Sequence, residues 1–332
     1  MQAPMLLDLT AVHCATLRPR PPFNLTATVH KPSHFPAPIE QFEGPSARHG
    51  ARYWRSLLWR ARPLGLCLED AGVIDDPEVA LTLFAPAGLS ISECERIVRE
   101  IRWRFDMDVD LAPFERDCGA DPLLSPVLKR WRGMRVGASG SLHEMLIVYV
   151  LLQNATVRRT VQMMRALLQR FGTPVRFDGR SLYASWPPQE LAGECEDELR
   201  RLKVGYRARV LRHLSETFAS GDVDEEALRA MSNEEAKREL LKLYGIGPAS
   251  VWYLLFEVLH RYDALDYVSP WEQRIYSRLL FDAELVPTER IIDETKRRWG
   301  CWRMLAAHYL FEDLFWRRRE EPVPWLEELI RL

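Results

Sequence analysis

The chain has 332 residues, 47% of them hydrophobic and 28% charged, with a formal net charge of −2, which is ordinary for a soluble globular protein with two or three buried cores. Its longest apolar run, Met145–Leu152, is far too short to cross a bilayer, and no basic segment precedes Asp8 to suggest a secretory signal. The six cysteines are scattered at 14, 67, 94, 118, 195 and 301 without a CxxC pair, which excludes a zinc-like spacing and suits a reducing interior, a bacterial cytoplasm or a nucleus.

Residues 1–115 carry many prolines and short β-leaning runs at Phe23–His30, Tyr53–Trp59 and Val79–Phe84. Ser90–Arg104 has helical periodicity, with Ile91, Ile97, Ile101 and Trp103 as its apolar positions. This part is expected to be a small antiparallel α+β domain. From residue 116 to 332 the pattern is helical. Leu142–Leu152, apolar almost all round, predicts a helix buried at the centre of a bundle. Amphipathic helices are predicted at about 156–171, 188–202, 206–219, 224–230, 234–243, 249–261, 270–281, 287–298 and 302–316. Short loops such as Gly172-Thr173-Pro174 and Ser220-Gly221-Asp222 separate them. The fold class is therefore α+β, an N-terminal antiparallel α+β domain followed by a mainly α-helical one.

A net negative charge argues mildly against a nucleic-acid partner, yet the basic residues cluster. Lys129-Arg130-Trp131-Arg132 with Arg135, Lys296-Arg297-Arg298, and Arg317-Arg318-Arg319 are such clusters, each of which can also be a solvated helix face.

Two motifs carry chemistry. In Leu243-Tyr244-Gly245-Ile246-Gly247-Pro248-Ala249-Ser250, Gly245 and Gly247 allow a tight reversal, and Pro248 suits the first turn of a new helix. A helix that begins there offers free backbone N–H groups and its positive dipole end to an anion, and a phosphate fits. The same corner can also serve packing alone. The second motif, Ser269-Pro270-Trp271-Glu272, is a capping box with proline at the first helical position.

Further segments fall in order around these two. Asp121-Pro122-Leu123 leads to Arg132-Gly133-Met134-Arg135, and Glu144–Gln153-Asn154 leads to Arg170-Phe171-Gly172. Trp186-Pro187-Pro188 with Leu191-Ala192, then Leu202-Lys203-Val204-Gly205, precede the hairpin, and Trp299-Gly300-Cys301-Trp302-Arg303 follows it. Together they resemble the helix–hairpin–helix (HhH-GPD) DNA glycosylase superfamily, and within it the bacterial 3-methyladenine DNA glycosylase II branch, over most of residues 120–310.

The resemblance implies an enzyme that kinks double-stranded DNA and rotates a damaged base into a pocket to hydrolyse its N-glycosidic bond, starting base-excision repair. It assigns phosphate contacts to Gly245, Gly247, Ala249 and Ser250, and the wedge to Asn154 with help from Gln153. Tyr253, Trp252, Trp271 and Trp302 become pocket aromatics, although aromatic residues at such positions are as often core. Ala249 occupies the place of the lysine that bifunctional members use for a Schiff base, which implies a monofunctional hydrolase. The catalytic aspartate is expected twenty-four residues after Gly245, where this chain has Ser269. Serine keeps the helix cap but holds no charge, which leaves Glu272 and Asp266 as replacement carboxylates, Glu272 being on the more rigid segment. A catalytically inactive DNA-binding protein that recognises modified or damaged duplex is the alternative, and a helical interaction protein a third. No iron–sulfur cluster is expected, since Cys301 stands apart from other cysteines. A Na+ or K+ ion at the hairpin carbonyls is compatible, no other metal is expected, and the family precedent is a monomer, here in a bacterial cytoplasm at the nucleoid with no membrane partner.

Overall fold

Side chains that alternate between two covered faces along three adjacent strands fix how the N-terminal half assembles. The computed structural model describes residues 5–33, 37–137 and 140–331. Its strands are β1 (Leu7–Asp8), β2 (Thr10–Leu17), β3 (Glu40–Glu43), β4 (Arg52–Trp59), β5 (Arg62–Asp70), β6 (Val79–Ala85), β7 (Thr173–Phe177) and β8 (Arg180–Ala184). The helices begin with α1 (Leu25–Val29), α2 (Ile91–Arg104), α3 (Ala112–Cys118), α4 (Ser125–Arg130), α5 (Leu142–Leu152) and α6 (Val157–Phe171). They continue with α7 (Pro188–Ala192), α8 (Glu196–Arg201), α9 (Arg207–Ala219), α10 (Glu225–Ala230), α11 (Asn233–Leu241) and α12 (Pro248–Glu257). The last are α13 (Pro270–Phe281), α14 (Thr288–Trp299), α15 (Arg303–Glu320) and α16 (Pro324–Arg331).

Strands β2 to β6 form an antiparallel sheet in the order β2-β6-β5-β4-β3. Leu64, Leu66 and Leu68 of β5 and Val79, Leu81 and Leu83 of β6 pack with Ile97 and Ile101 of α2. The opposite side chains, Trp54, Cys67 and Phe84, meet Val175, Phe177 and Leu182 of the β7–β8 hairpin. This is the period of two that strand geometry requires. Gly65 lies beneath the Phe177 ring, where a Cβ would come within 2.7 Å of it. The hairpin belongs in sequence to the helical half, yet it pairs in parallel with β1 and docks on the outer face of the sheet. The division expected after residue 115 falls within α3.

Four local expectations are corrected. Phe23–His30 is not a strand but the short helix α1, because the Asn24 side chain accepts the Ala27 N–H at 2.9 Å and outweighs its β-branched composition. Ile91 is 81% exposed; Cys94, Ile97 and Ile101 form the buried face of α2. Gly172-Thr173-Pro174 is no loop, since β7 starts at Thr173, and the helix expected over 188–202 is broken into α7 and α8.

In the helical half α5 is central. Leu142, Leu146, Ile147, Val150 and Leu151 are all buried in a core shared with α6, α9, α11 and α12. A second core gathers α3, α4, α14 and α15 around Phe114, Leu124, Ile291 and Leu305. Four serines, Ser90, Ser141, Ser232 and Ser269, start helices as complete capping boxes. An ion network joins the halves: Arg55 meets Glu40 at 2.9 Å and Glu144 at 3.8 Å, while Glu100 meets Arg104 and Arg229, each at 2.8 Å. Among the described residues, no helix is long and apolar enough to cross a membrane.

Candidate active site and nucleic-acid interface

The chain reverses between α11 and α12 on two buried anchors, Leu243 and Ile246, with the Ile246 N–H donating to the Leu243 carbonyl at 3.1 Å. Gly245 takes φ +77°, and a Cβ there would press to 2.6 Å from Val210 Cγ1. Gly247 is extended and caps α12 without a side-chain acceptor. The N–H groups of Ala249 and Ser250, in the first turn of α12, thus have no acceptor within the helix and share its positive end. Tyr244 is exposed at the bend, with the Arg209 guanidinium 5.4 Å from its ring centroid.

The turn after α5 is tied to this hairpin. Gln153 Nε2 donates to the Gly245 carbonyl at 2.9 Å, and Asn154, at φ +47°, donates to the Tyr206 hydroxyl at 3.2 Å. Asparagine tolerates this left-handed backbone better than most residues. Arg207 donates to the carbonyls of Val150 and Gln153 and fixes the end of α5. Asn154 is exposed at the tip.

Behind this turn opens a cleft of about 1190 Å³. Gln153, Asn154, Ala249 and Ser250 stand on its wall, and Tyr253, Ser269, Trp271 and Glu272 line it further in. Trp271 packs edge-on against Phe311, with ring centroids 5.7 Å apart. Tyr149 and Tyr253 stack at 5.7 Å with 21° between their planes. Each tyrosine holds a different acid: Tyr149 donates to Glu257, and Tyr253 hydrogen-bonds Glu272.

Glu272 is 5% exposed. It accepts the Ser269 backbone N–H at 3.1 Å, and its own N–H donates to Ser269 Oγ at 3.4 Å. Burial pushes its carboxyl above the ordinary range, while the bonds from Tyr253 and Ser269 favour the charged form. Burial likewise raises Glu257, against the hydrogen bond from Tyr149 and the charge of Lys31. Glu312 is pushed up to about 7 by burial, which Lys31 and Ser33 only partly offset. Lys31, pulled down to about 8 by burial, donates to the carbonyls of Arg135 at 2.6 Å and Val136 at 2.5 Å. A general acid or base needs such a setting, a carboxyl whose affinity for protons its surroundings have moved.

Three expected site residues lie elsewhere. Asp266 is held by Lys296 at 3.1 Å and Arg303 at 3.3 Å, away from the cleft. Trp252 is buried in the helical core with the Lys237 ammonium 4.9 Å from its ring centroid, because successive residues of α12 lie about 100° apart round the helix and Trp252 is turned away from the cleft that Tyr253 lines. Trp302 stacks on Tyr262 at 5.7 Å and hydrogen-bonds Asp117 at 3.3 Å, also outside the cleft. Lys31, Tyr149, Glu257, Tyr276, His308 and Glu312 escaped the sequence reading. A lone acid in the apolar run Val251–Val258 was the available signal for Glu257, and His308 with Glu312 at i, i+4 in another apolar helix was that for Glu312.

The hairpin, with the free N–H groups at the start of α12, thus stands beside an acid-bearing cleft. The chain is 28% identical over 225 residues to a DNA-3-methyladenine glycosylase of Bacillus subtilis (strain 168), covering 67% of this chain and 73% of that one. It superposes on the 3-methyladenine DNA-glycosylase of Archaeoglobus fulgidus with TM-score 0.70 at 16% identity, covering 91% and 98% of the two chains. On the Clostridium acetobutylicum 8-oxoguanine glycosylase/lyase the TM-score is 0.68 at 17% identity, covering 94% and 99%. No family model matches the chain. The chain shares its fold with these solved DNA glycosylases.

Proposed function

We propose that the protein is a monofunctional DNA glycosylase that hydrolyses the N-glycosidic bond of a damaged or modified base in double-stranded DNA. The observation that carries this reading is Glu272, which of the two replacement carboxylates, Glu272 and Asp266, is the one that lines the cleft behind the hairpin. The N–H groups of Ala249 and Ser250 receive a phosphate, and Asn154 enters the base stack, where unstacking costs a few kcal/mol. The base then enters the cleft beside Tyr253 and Trp271.

Ser269 stands in place of the superfamily's aspartate and retains only its capping role. Glu272, one turn into the same helix, supplies the charge. Ionised, it stabilises the positive charge that develops on the sugar and orients the attacking water. Tyr253 and the Ser269 N–H hold its carboxylate in place. Ala249 carries no amine, so no Schiff base forms there. The protein acts as a monomer in the bacterial cytoplasm. The Leu243 and Gly245 carbonyls each already accept one hydrogen bond and keep a second lone pair for a Na+ or K+ ion, which would steady the hairpin.

The test is a panel of duplexes that each carry one alkylated, deaminated, oxidised or etheno base, read by alkaline cleavage at abasic sites. The reading requires product on at least one duplex, with no borohydride-trapped adduct. Tight duplex binding without product on any of them would instead indicate a recognition protein.

A further inference from the structure

The inner end of the cleft holds two carboxylates that the hydrolytic step does not use. Glu257, on α12, accepts the Tyr149 hydroxyl. Glu312, on α15, is 1% exposed, and its Oε1 accepts the Ser33 hydroxyl with His308 Nδ1 3.9 Å away. Glu312 Oε2 is buried with no hydrogen-bond partner among the described residues, although it belongs to a side chain that lines the cleft. A buried carboxylate oxygen left without a donor is costly unless something fills the place. Lys31 is near enough for its charge to act on both acids, but its ammonium donates to two backbone carbonyls instead.

We infer that Glu257 and Glu312 form a reading floor that accepts hydrogen bonds from the edge of the base that enters first, so that the site selects bases presenting N–H donors there. This rests on the reading of the cleft as a base pocket. An ionised carboxylate offers acceptors only. A base edge lined with amino groups satisfies the open oxygen, and an edge without donors leaves it unpaired. A pocket built to hydrogen-bond an N–H rejects an analogue lacking it far more strongly than an apolar pocket rejects a change of size. The Tyr149–Tyr253 stack beside the floor holds the ring plane, and the acids choose the edge.

Free bases test this without requiring catalysis. The probes are 2,6-diaminopurine, with two amino groups, and 1,N6-ethenoadenine, whose amino nitrogen is locked into a ring. Equilibrium dialysis with the full-length protein should show the diamino base bound at least about 10-fold more tightly, the size of one charged hydrogen bond. Glu312→Gln and Glu257→Gln should each erase most of that preference while leaving the etheno base unchanged within about two-fold. Thermal melts report whether each variant folds, and Glu312→Leu repeats the measurement with no polar group at the position. Equal affinity for the two bases, including no measurable binding of either at millimolar concentration, overturns the inference. An equal loss for both bases in every folded variant overturns it as well. Abasic-site formation is scored separately, so a protein that cuts no duplex yet discriminates the two bases keeps the floor and loses only the hydrolase reading.

Discussion

Glu272 accepts the backbone N–H of Ser269 at 3.1 Å, so the carboxylate that lines the cleft is also the one that closes the cap of α13. A capping box is ordinarily a device of stability. Here it places a buried acid at a fixed point, with Tyr253 as its second donor.

The acid limb of the excision rate follows from that burial. The reaction needs Glu272 ionised, and its carboxyl titrates above the ordinary value of 4.5. The rate should therefore fall as pH drops through that raised value, and kcat/KM against pH should show an acid limb centred above 4.5. Tyr253→Phe, by removing a bond to the charged form, should move the limb further up.

Asp266 makes the matching control. Two cations already hold it outside the cleft. Asp266→Asn should leave single-turnover excision within about two-fold of wild type, since exposed ion pairs contribute little. A loss of about 100-fold or more would move the chemistry to Asp266.

The two hairpin glycines should separate binding from stability. Gly245→Ala forces a Cβ against Val210 at a left-handed backbone position and should cost about 1–3 kcal/mol in thermal or urea unfolding. Gly247→Ala meets open space and should leave the melting temperature unchanged. Both should weaken duplex binding measured by fluorescence anisotropy, because each stands where the phosphate must approach the backbone.

Glu100 should govern part of the acid stability. Burial pushes its carboxyl up, but Arg229 and Arg104 outweigh that and hold it down at about 2. The folded value is depressed, so the stabilisation is fully present above about 4.5 and is lost as pH falls towards 2. Glu100→Gln should lower unfolding free energy at pH 7 by roughly 3 kcal/mol and flatten its decline between pH 5 and 3, as read by urea titration.

Much of this was legible in the sequence because the signals are local. Ser90, Ser141, Ser232 and Ser269 are each followed three residues later by glutamate, and all four start helices. Gly245 and Gly247 marked the hairpin. Asp178-Gly179, both at positive φ, is a two-residue hairpin turn that was available too, but the helical pattern around it hid the strands. Glu257 and Glu312 each carried a local signal, but their meeting with Tyr149 was not legible, because the three come from distant helices that only the tertiary fold brings to one cleft. Trp252 shows the reverse error: it neighbours Tyr253 in sequence, and the turn of the helix carries it into the core instead of the cleft.

The most direct measurement is single-turnover abasic-site formation by wild type and Glu272→Gln on the duplex that the wild-type protein cuts fastest. Glutamine keeps the capping-box hydrogen bond, so the variant should melt within a few degrees of wild type and bind the duplex equally well. Its rate should fall by about 100-fold to 10,000-fold, the range for losing a positioned catalytic carboxylate. A rate within about three-fold of wild type in a folded, DNA-binding variant would contradict the assignment of the chemistry to Glu272.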